Sequence, residues 1–258
     1  MANKTFSHSG TYGDLVYSLA ITKHLGGGDF YLRLENMDNM ARLVLGAQGN
    51  AGAHSGEMTK KQFDSLTEFM EFQPYINSWN VWNNEPIDYA LEFSGHEIVK
   101  QQGNYAWGYA RAQGVNPDNH YKEFMLDPWI TVDKAIKIQG RPIVINRVNR
   151  HLYGRQQVDQ GWLNFFARGL ADVAVYVGME HEHAWFEDTF KVKVPHYKTS
   201  NVMDVARVIA GGEQFIGSQS MCLSLAIGLG KTFFCEARKD LPLERNECFY
   251  ARPNGFYF

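Results

Sequence analysis

The first thirty-four residues constrain the fold of this chain most. Residues 4–6 make a short candidate strand, followed by the Ser/Gly-rich turn Ser-His-Ser-Gly-Thr-Tyr-Gly-Asp. From Asp14 to Leu25 the apolar residues Leu15, Val16, Leu19, Ala20 and Leu25 recur at helical spacing. Three glycines at 26–28 stop that helix, and Asp29-Phe-Tyr-Leu-Arg-Leu reads as the next strand. Strand, glycine turn, helix, glycine stop and strand together form a βαβ unit, whose two strands must run parallel.

The rest of the chain repeats that grammar with differing clarity. Residues 59–72 suggest a helix and 75–82 a strand, while 83–120 mix glycine, polar and aromatic residues without a clear period. Asp127 to Gln139 resembles a strand and connector. Beyond it the alternation is regular: strand 141–146, helix Gln160 to Leu170, strand 172–178, and a strand near 190–194. A helix from Val202 to Ala210, a strand from Gln214, a helix over 220–229 and a strand at 231–235 follow. This is the doubly wound α/β pattern. The expected division is an N-terminal domain over 1–135 and a C-terminal domain over 136–258, each of ordinary size.

Composition narrows the function classes. A hydrophobic share of 45% with 21% charged residues is that of a globular protein, which sets aside disorder and coiled coil. A net charge of −3 gives no broad attraction to nucleic acid or acidic lipid. Cys222, Cys235 and Cys248 match neither a zinc pair nor a redox motif, so reduced thiols are expected. No stretch approaches 18 consecutive apolar residues, and Met1-Ala-Asn-Lys-Thr opens no signal-like run. A soluble, cytoplasmic protein is the expectation. Most of the six Trp side chains are expected in the core rather than on a sugar-binding surface.

In an open parallel sheet, ligands bind at the carboxyl ends of the strands. Three such ends carry suggestive side chains. The turn Ser9-Gly10-Thr11-Tyr12-Gly13-Asp14 brings backbone close to any ligand and sets a carboxylate at the start of a helix. Asp14 fits either a general base or a helix cap. It lacks the Gly-X-Gly-X-X-Gly and Walker patterns, so ordinary dinucleotide and P-loop sites do not apply. Asn146, Arg147, Asn149 and Arg150 follow strand 141–146 and are candidates for phosphate. Ser218, Gln219 and Ser220 precede a helix N-terminus, which suits either an anion site or plain capping. After strand 172–178 come Gly178 and the run Glu180-His181-Glu182-His183, which can touch a ribose or, on an extended segment, ligate a metal. No third ligand lies nearby in sequence, and no Asp-X-Asp motif occurs.

These segments resemble the lipopolysaccharide heptosyltransferases, glycosyltransferase family 9. The similarity lies in Ser9-Gly-Thr-Tyr-Gly-Asp14 with its helix, in Val205-Ala-Arg-Val-Ile-Ala-Gly211, in Phe215-Ile-Gly-Ser-Gln-Ser220 and in Leu225-Ala-Ile-Gly-Leu229. It spans roughly 4–35 and 140–240. The departures are Gln219-Ser220-Met221 at the family's Asp-Thr-Gly turn, Ser224 at a position often His, and Asn146, Arg147 and Arg150 in place of its Thr/Lys group. The resemblance implies a GT-B fold, two Rossmann-like domains with parallel sheets facing across a cleft. It implies metal-independent transfer of a sugar from a nucleotide-diphosphate donor to a hydroxyl, with Asp14 as base and no cofactor. Arg147, Arg150 and 218–220 would hold the diphosphate, Glu180 or Glu182 the ribose, and Ser200 would lie beside the nucleobase. A nucleotide-sugar epimerase and a non-catalytic nucleotide-sugar-binding protein are the alternatives, and DNA is a conceivable but disfavoured acceptor. Oligomeric state is left open.

Overall fold

The structure, a computed structural model, describes residues 3–34, 58–91, 104–148, 155–237, 242–246, 249–250 and 252–258. Its frame is two sheets with every strand parallel. The first sheet contains β1 (Thr5–His8), β2 (Gly28–Leu32), β3 (Ile76–Val81) and β4 (Tyr89–Ala90), in the order β3-β2-β1-β4. The second contains β5 (Ile143–Asn146), β6 (Ala174–Tyr176), β7 (Gln214–Gly217), β8 (Thr232–Cys235) and β9 (Gly255–Tyr257), in the order β6-β5-β7-β8-β9. The helices are α1 (Tyr12–His24), α2 (Lys60–Glu71), α3 (Tyr105–Ala112), α4 (Arg155–Ala167), α5 (Leu170–Val173), α6 (Glu180–Phe190), α7 (Val202–Gly211) and α8 (Met221–Gly228).

The expected first βαβ unit is present, with its boundaries set by backbone chemistry. Thr11 is the extended N-cap of α1. The Asp14 carboxylate accepts from the Thr11 amide at 3.3 Å and from its hydroxyl at 2.9 Å, closing the first turn. At the far end Gly27 has φ +73°, and a Cβ there would lie 1.9 Å from the Tyr75 carbonyl oxygen. Only glycine fits that crossing, so the stop lies where the sequence places it.

Strands β5 and β7 show why the second sheet is buried on both faces. Val144 and Phe215 join one apolar cluster, while Ile145 and Ile216, one residue on, join another with Trp162, Phe186 and Phe190. The first cluster is continuous with the core of the first sheet through Leu15, Val16, Leu19, Leu223, Leu225 and Ile227. Helices α1 and α8 pack on one another, and α2 packs on α7. Trp79, Trp129 and Trp162 are buried, while Trp82, Trp107 and Trp185 are half-buried, so half of the Trp side chains rather than most are core.

Two expected strands do not form. The chain near 190–194 is the end of α6, closed by Lys191 at φ 54°, followed by an extended stretch. That stretch makes a single parallel bridge, Tyr176 to His196. Pro195 accepts from the Tyr176 amide but has no N–H of its own, so the ladder goes no further. Asp127 to Gln139 is likewise irregular. Its Trp129 and Ile130 amides both donate to the Gly228 carbonyl, at 2.9 and 3.1 Å, and the Trp129 indole donates to the Val16 carbonyl at 3.1 Å. The segment is therefore held by the two central helices rather than by a sheet. Strands β4 and β9 and helix α3 are additions that no clear period announced. Among the described cysteines, Cys222 and Cys235 are buried and in no disulfide; Cys248 lies outside the described residues.

Candidate active site

Four strand ends meet around the N-termini of α1 and α8. Strand β5 has β6 on one side and β7 on the other. The chain leaves β5 first for β6 and later returns to β7, so the crevice beyond β5 and β7 is a topological switch point. Asn146 ends β5 and knits this crevice together. Its side-chain amide donates to the Val177 carbonyl at 2.9 Å, and its oxygen accepts from the Ser220 hydroxyl at 2.8 Å. The Ser218 hydroxyl accepts from the Val148 amide at 3.0 Å. Ser220 is the extended N-cap of α8, and its hydroxyl points to Asn146 rather than to the helix amides. The first turn of α8 accordingly offers amide groups that the helix itself does not use. Gln219 is half-buried beside it.

Glycine 13 brings the first sheet to this place. A Cβ at Gly13 would lie 3.7 Å from the Met221 amide nitrogen and 4.0 Å from the Ser220 carbonyl carbon. Asp14, the next residue, is 7% exposed. The backbone of Ser9 and Gly10 is ordered from below by His8, a residue for which the sequence reading had no role. The fully buried His8 ring accepts from the Gly10 amide at Nδ1, 2.8 Å, and its Nε2 lies 3.1 Å from the Tyr109 hydroxyl. With Nδ1 accepting, Nε2 carries the proton and donates. A Cβ on Gly10 would come within 2.5 Å of His8 Cε1 and 3.2 Å of Asp14 Cβ. The signal available in sequence was a polar ring at the last position of an otherwise buried strand.

The β6 edge departs from expectation in part. Glu180 to His183 is helical, not extended, so His181 and His183 at i and i+2 do not face the same way. His183 Nε2 lies 2.7 Å from the Val194 carbonyl oxygen, and its ring stacks on His196 at 4.7 Å. This is packing around the irregular 191–197 stretch, not a paired ligand set. Glu180 is exposed and ion-paired to Lys198 at 3.1 Å, which holds its carboxyl below the usual range. Glu182 accepts from the Met179 amide at 3.2 Å; burial, and then the Glu182 charge, push the Cys222 thiol well above its ordinary value. Gly178, at φ 133°, lies between them, where a Cβ would meet the Asn146 amide at 2.6 Å and the Glu182 carboxylate at 3.2 Å. Ser200 is exposed ahead of α7, its amide donating to Asp204 at 3.1 Å.

Arg147, expected at a phosphate, is engaged by carboxylates of the chain itself. Its side chain is 1% exposed and lies between two carboxylates, Asp159 at 2.8 Å and Glu236, with Trp185 and Phe190 rings at 5.4 and 5.0 Å. Glu236 also accepts from the Trp162 indole. Burial raises the Glu236 carboxyl, and the Arg147 charge opposes that rise. An external phosphate would have to displace both partners, so Arg147 serves the interior behind β5. Arg150 and Asn149 lie outside the described residues.

Solved structures of the same shape are known, although no family model and no curated protein matches this sequence. A family 9 glycosyl transferase from Veillonella parvula superposes with a TM-score of 0.58, 7% identity, and coverage of 99% of this chain and 85% of that one. The E. coli heptosyltransferase WaaC with ADP gives 0.50 and 12% over 98% and 92%. The dodecameric, iron-containing glycosyltransferase TibC of enterotoxigenic E. coli gives 0.54 and 12% over 98% and 61%. The chain thus has the α/β, twin-parallel-sheet fold of the heptosyltransferases. Among the described residues no helix is long and apolar enough to cross a membrane.

Proposed function

We propose that this chain is a metal-independent glycosyltransferase that moves a sugar from a nucleotide-diphosphate donor to an acceptor hydroxyl. The observation that carries the reading is the close approach of α1 to α8 at Gly13, where an added Cβ would lie 3.7 Å from the Met221 amide nitrogen. It sets a carboxylate, Asp14, next to a helix N-terminus, and glycosyl transfer needs both a base and an anion-stabilising group at one place. The solved WaaC structure contains ADP, which supports a nucleotide diphosphate as the ligand class.

In this reading the donor diphosphate lies against the first turn of α8. Its amides and the positive end of its dipole stabilise charge as the leaving group departs. Asp14 accepts the acceptor proton; the acceptor oxygen bonds to the anomeric carbon, and the carbon–diphosphate bond breaks with its electrons on phosphate. Thr11 fixes the base through the amide and hydroxyl bonds to Asp14. Glu182 is better placed than Glu180 to reach a ribose, because its carboxylate lies by Gly178 and Asn146 while Glu180 is engaged by Lys198. Ser200 and Gln219 remain candidates for the nucleobase and phosphate sides.

The test is a thermal-shift screen of purified protein against ADP-, UDP-, GDP- and CMP-sugars without added metal. A ligand that binds only the native state raises the melting temperature by mass action. Asp14→Asn should keep that shift yet lower turnover by about 10²-fold or more. Near-wild-type turnover would remove Asp14 from its role. Donor converted to an isomer with no acceptor would replace the reading by an epimerase, and a shift without product under any acceptor by a binding protein.

A further inference from the structure

At the opposite end of α1 from Asp14, three side chains converge. His24 is the last residue of α1, His120 ends a short 3₁₀ turn (Pro117–His120), and Glu123 lies in the π-helical turn (Lys122–Leu126) that follows. His24 Nδ1 is 2.5 Å from Glu123 Oε2, and His120 Nδ1 is 3.3 Å from Glu123 Oε1. One potential ligand atom from each residue lies within 4.8 Å of the other two. We propose that this cluster is a binding site for a divalent transition-metal ion of the zinc class, with two imidazoles and one carboxylate as protein ligands and water completing the shell.

Three observations support the assignment. The donor set is chemically matched: imidazole nitrogen and carboxylate oxygen bind such ions at about 2.0–2.2 Å, and a tetrahedral arrangement places ligand atoms about 3.3 Å apart. From separations within 4.8 Å the three atoms reach that spacing by side-chain shifts of up to about 1.5 Å. The backbone bearing Glu123 is unusual, with the Asp127 amide bonded to the Lys122 carbonyl at 2.8 Å across a π turn. Single π turns are rare and occur often at functional sites. Finally, the C-terminus of α1 carries partial negative charge, which favours a cation beside His24. The His24 ring is held in place by the His120 ring edge-on at 4.4 Å and the buried Phe124 ring at 5.2 Å.

A 13-residue helix is about 20 Å long, so the ion would lie far from Asp14. Its role is structural: it ties the end of the central helix to residues 117–126. The inference does not depend on the glycosyltransferase reading, and its test does not use activity.

Chelator-treated full-length protein would be titrated with Zn(II) alone by calorimetry, and with Co(II) while recording visible absorption. The expected result is one ion per chain, a rise of several degrees in melting temperature with Zn(II), and Co(II) bands characteristic of tetrahedral nitrogen and oxygen coordination. His120→Asn and Glu123→Gln alter side chains that are 40% and 51% exposed, so both variants should fold. Each should weaken binding at least tenfold, whereas His181→Asn, exposed on α6, should not. Zinc binding that is undiminished in both variants, or absent in the wild type at millimolar metal, would overturn the site.

Discussion

His8 has both ring nitrogens engaged, one by the Gly10 amide and one by the Tyr109 hydroxyl. A ring held on two sides cannot swing away, and this makes Gly10 the least replaceable residue of the turn. Gly10→Ala would drive a methyl to 2.5 Å from His8 Cε1. The expected cost is about 1–3 kcal/mol, measured as a lowered midpoint in urea unfolding. Gly13→Ala offers the contrast, since its methyl would sit in ordinary contact at 3.7 Å from Met221. Its stability should stay within about 0.5–1 kcal/mol of wild type, the change appearing instead, on the proposed transferase reading, in donor affinity, read by calorimetric titration. The sequence showed Ser9, Gly10, Thr11, Gly13 and Asp14 as a unit because turn chemistry is local. It was silent on His8, whose importance comes from Tyr109, a hundred and one residues away. For the same reason Arg147 looked like a phosphate ligand: Asp159 and Glu236, which enclose it, are reached only through the fold.

At the scale of elements, α1 and α8 stand apart from the other helices. Residues 14–22 of α1 and 222–228 of α8 are buried on every side, whereas α2 buries only Phe63, Leu66, Phe69 and Met70. A helix apolar all round belongs in an interior, and these two form the layer between the sheets. Leu223→Ala, at a fully buried position of α8, should cost about 2–5 kcal/mol in chemical denaturation. Behind β5, Arg147→Met would leave the buried Glu236 carboxyl without its cation, next to the partly exposed Asp159. A loss of about 3–5 kcal/mol is expected by the same measurement. Elements with strong local pattern were legible in the sequence: α1, α2, β5, α7 and α8 all lie within a few residues of their expected bounds. The expected strand near 190–194 failed because a short apolar run does not reveal whether a partner edge offers hydrogen bonds, and Pro195 removes the donor that would have extended one.

For the whole molecule, Arg207 of α7 is the clearest link between the halves. Its guanidinium contacts Glu68 of α2, Asp133 of the connector and Asp204 of its own helix. The Arg207 hydrogen bond holds the Asp133 carboxyl below the usual range, so its contribution is present above the unfolded carboxylate value and is lost as pH falls through the lowered one. Arg207→Met should therefore melt below wild type at pH 7, and the Asp133 share of that difference should persist at about pH 4 and fade only as pH falls through the lowered value. A pH series of thermal melts checks this. The doubly wound order was legible because strand–helix alternation is a property of the chain. How the sheets join was not, because the residues that join them are merely apolar in sequence.

That junction bears on how such a chain can be divided. Trp129 sits where a reader of the sequence would place a linker, yet its amide and its indole are fastened to α8 and α1 respectively. A gene cut there would give two fragments, each exposing a greasy helix that the other was built to cover. Swapping one half for that of a relative would carry over a strand order and a binding crevice but not the matching surface. On the proposed transferase reading, a change of donor or acceptor preference thus has to come from the loops at the strand ends, with the helix pair beneath them left as a unit.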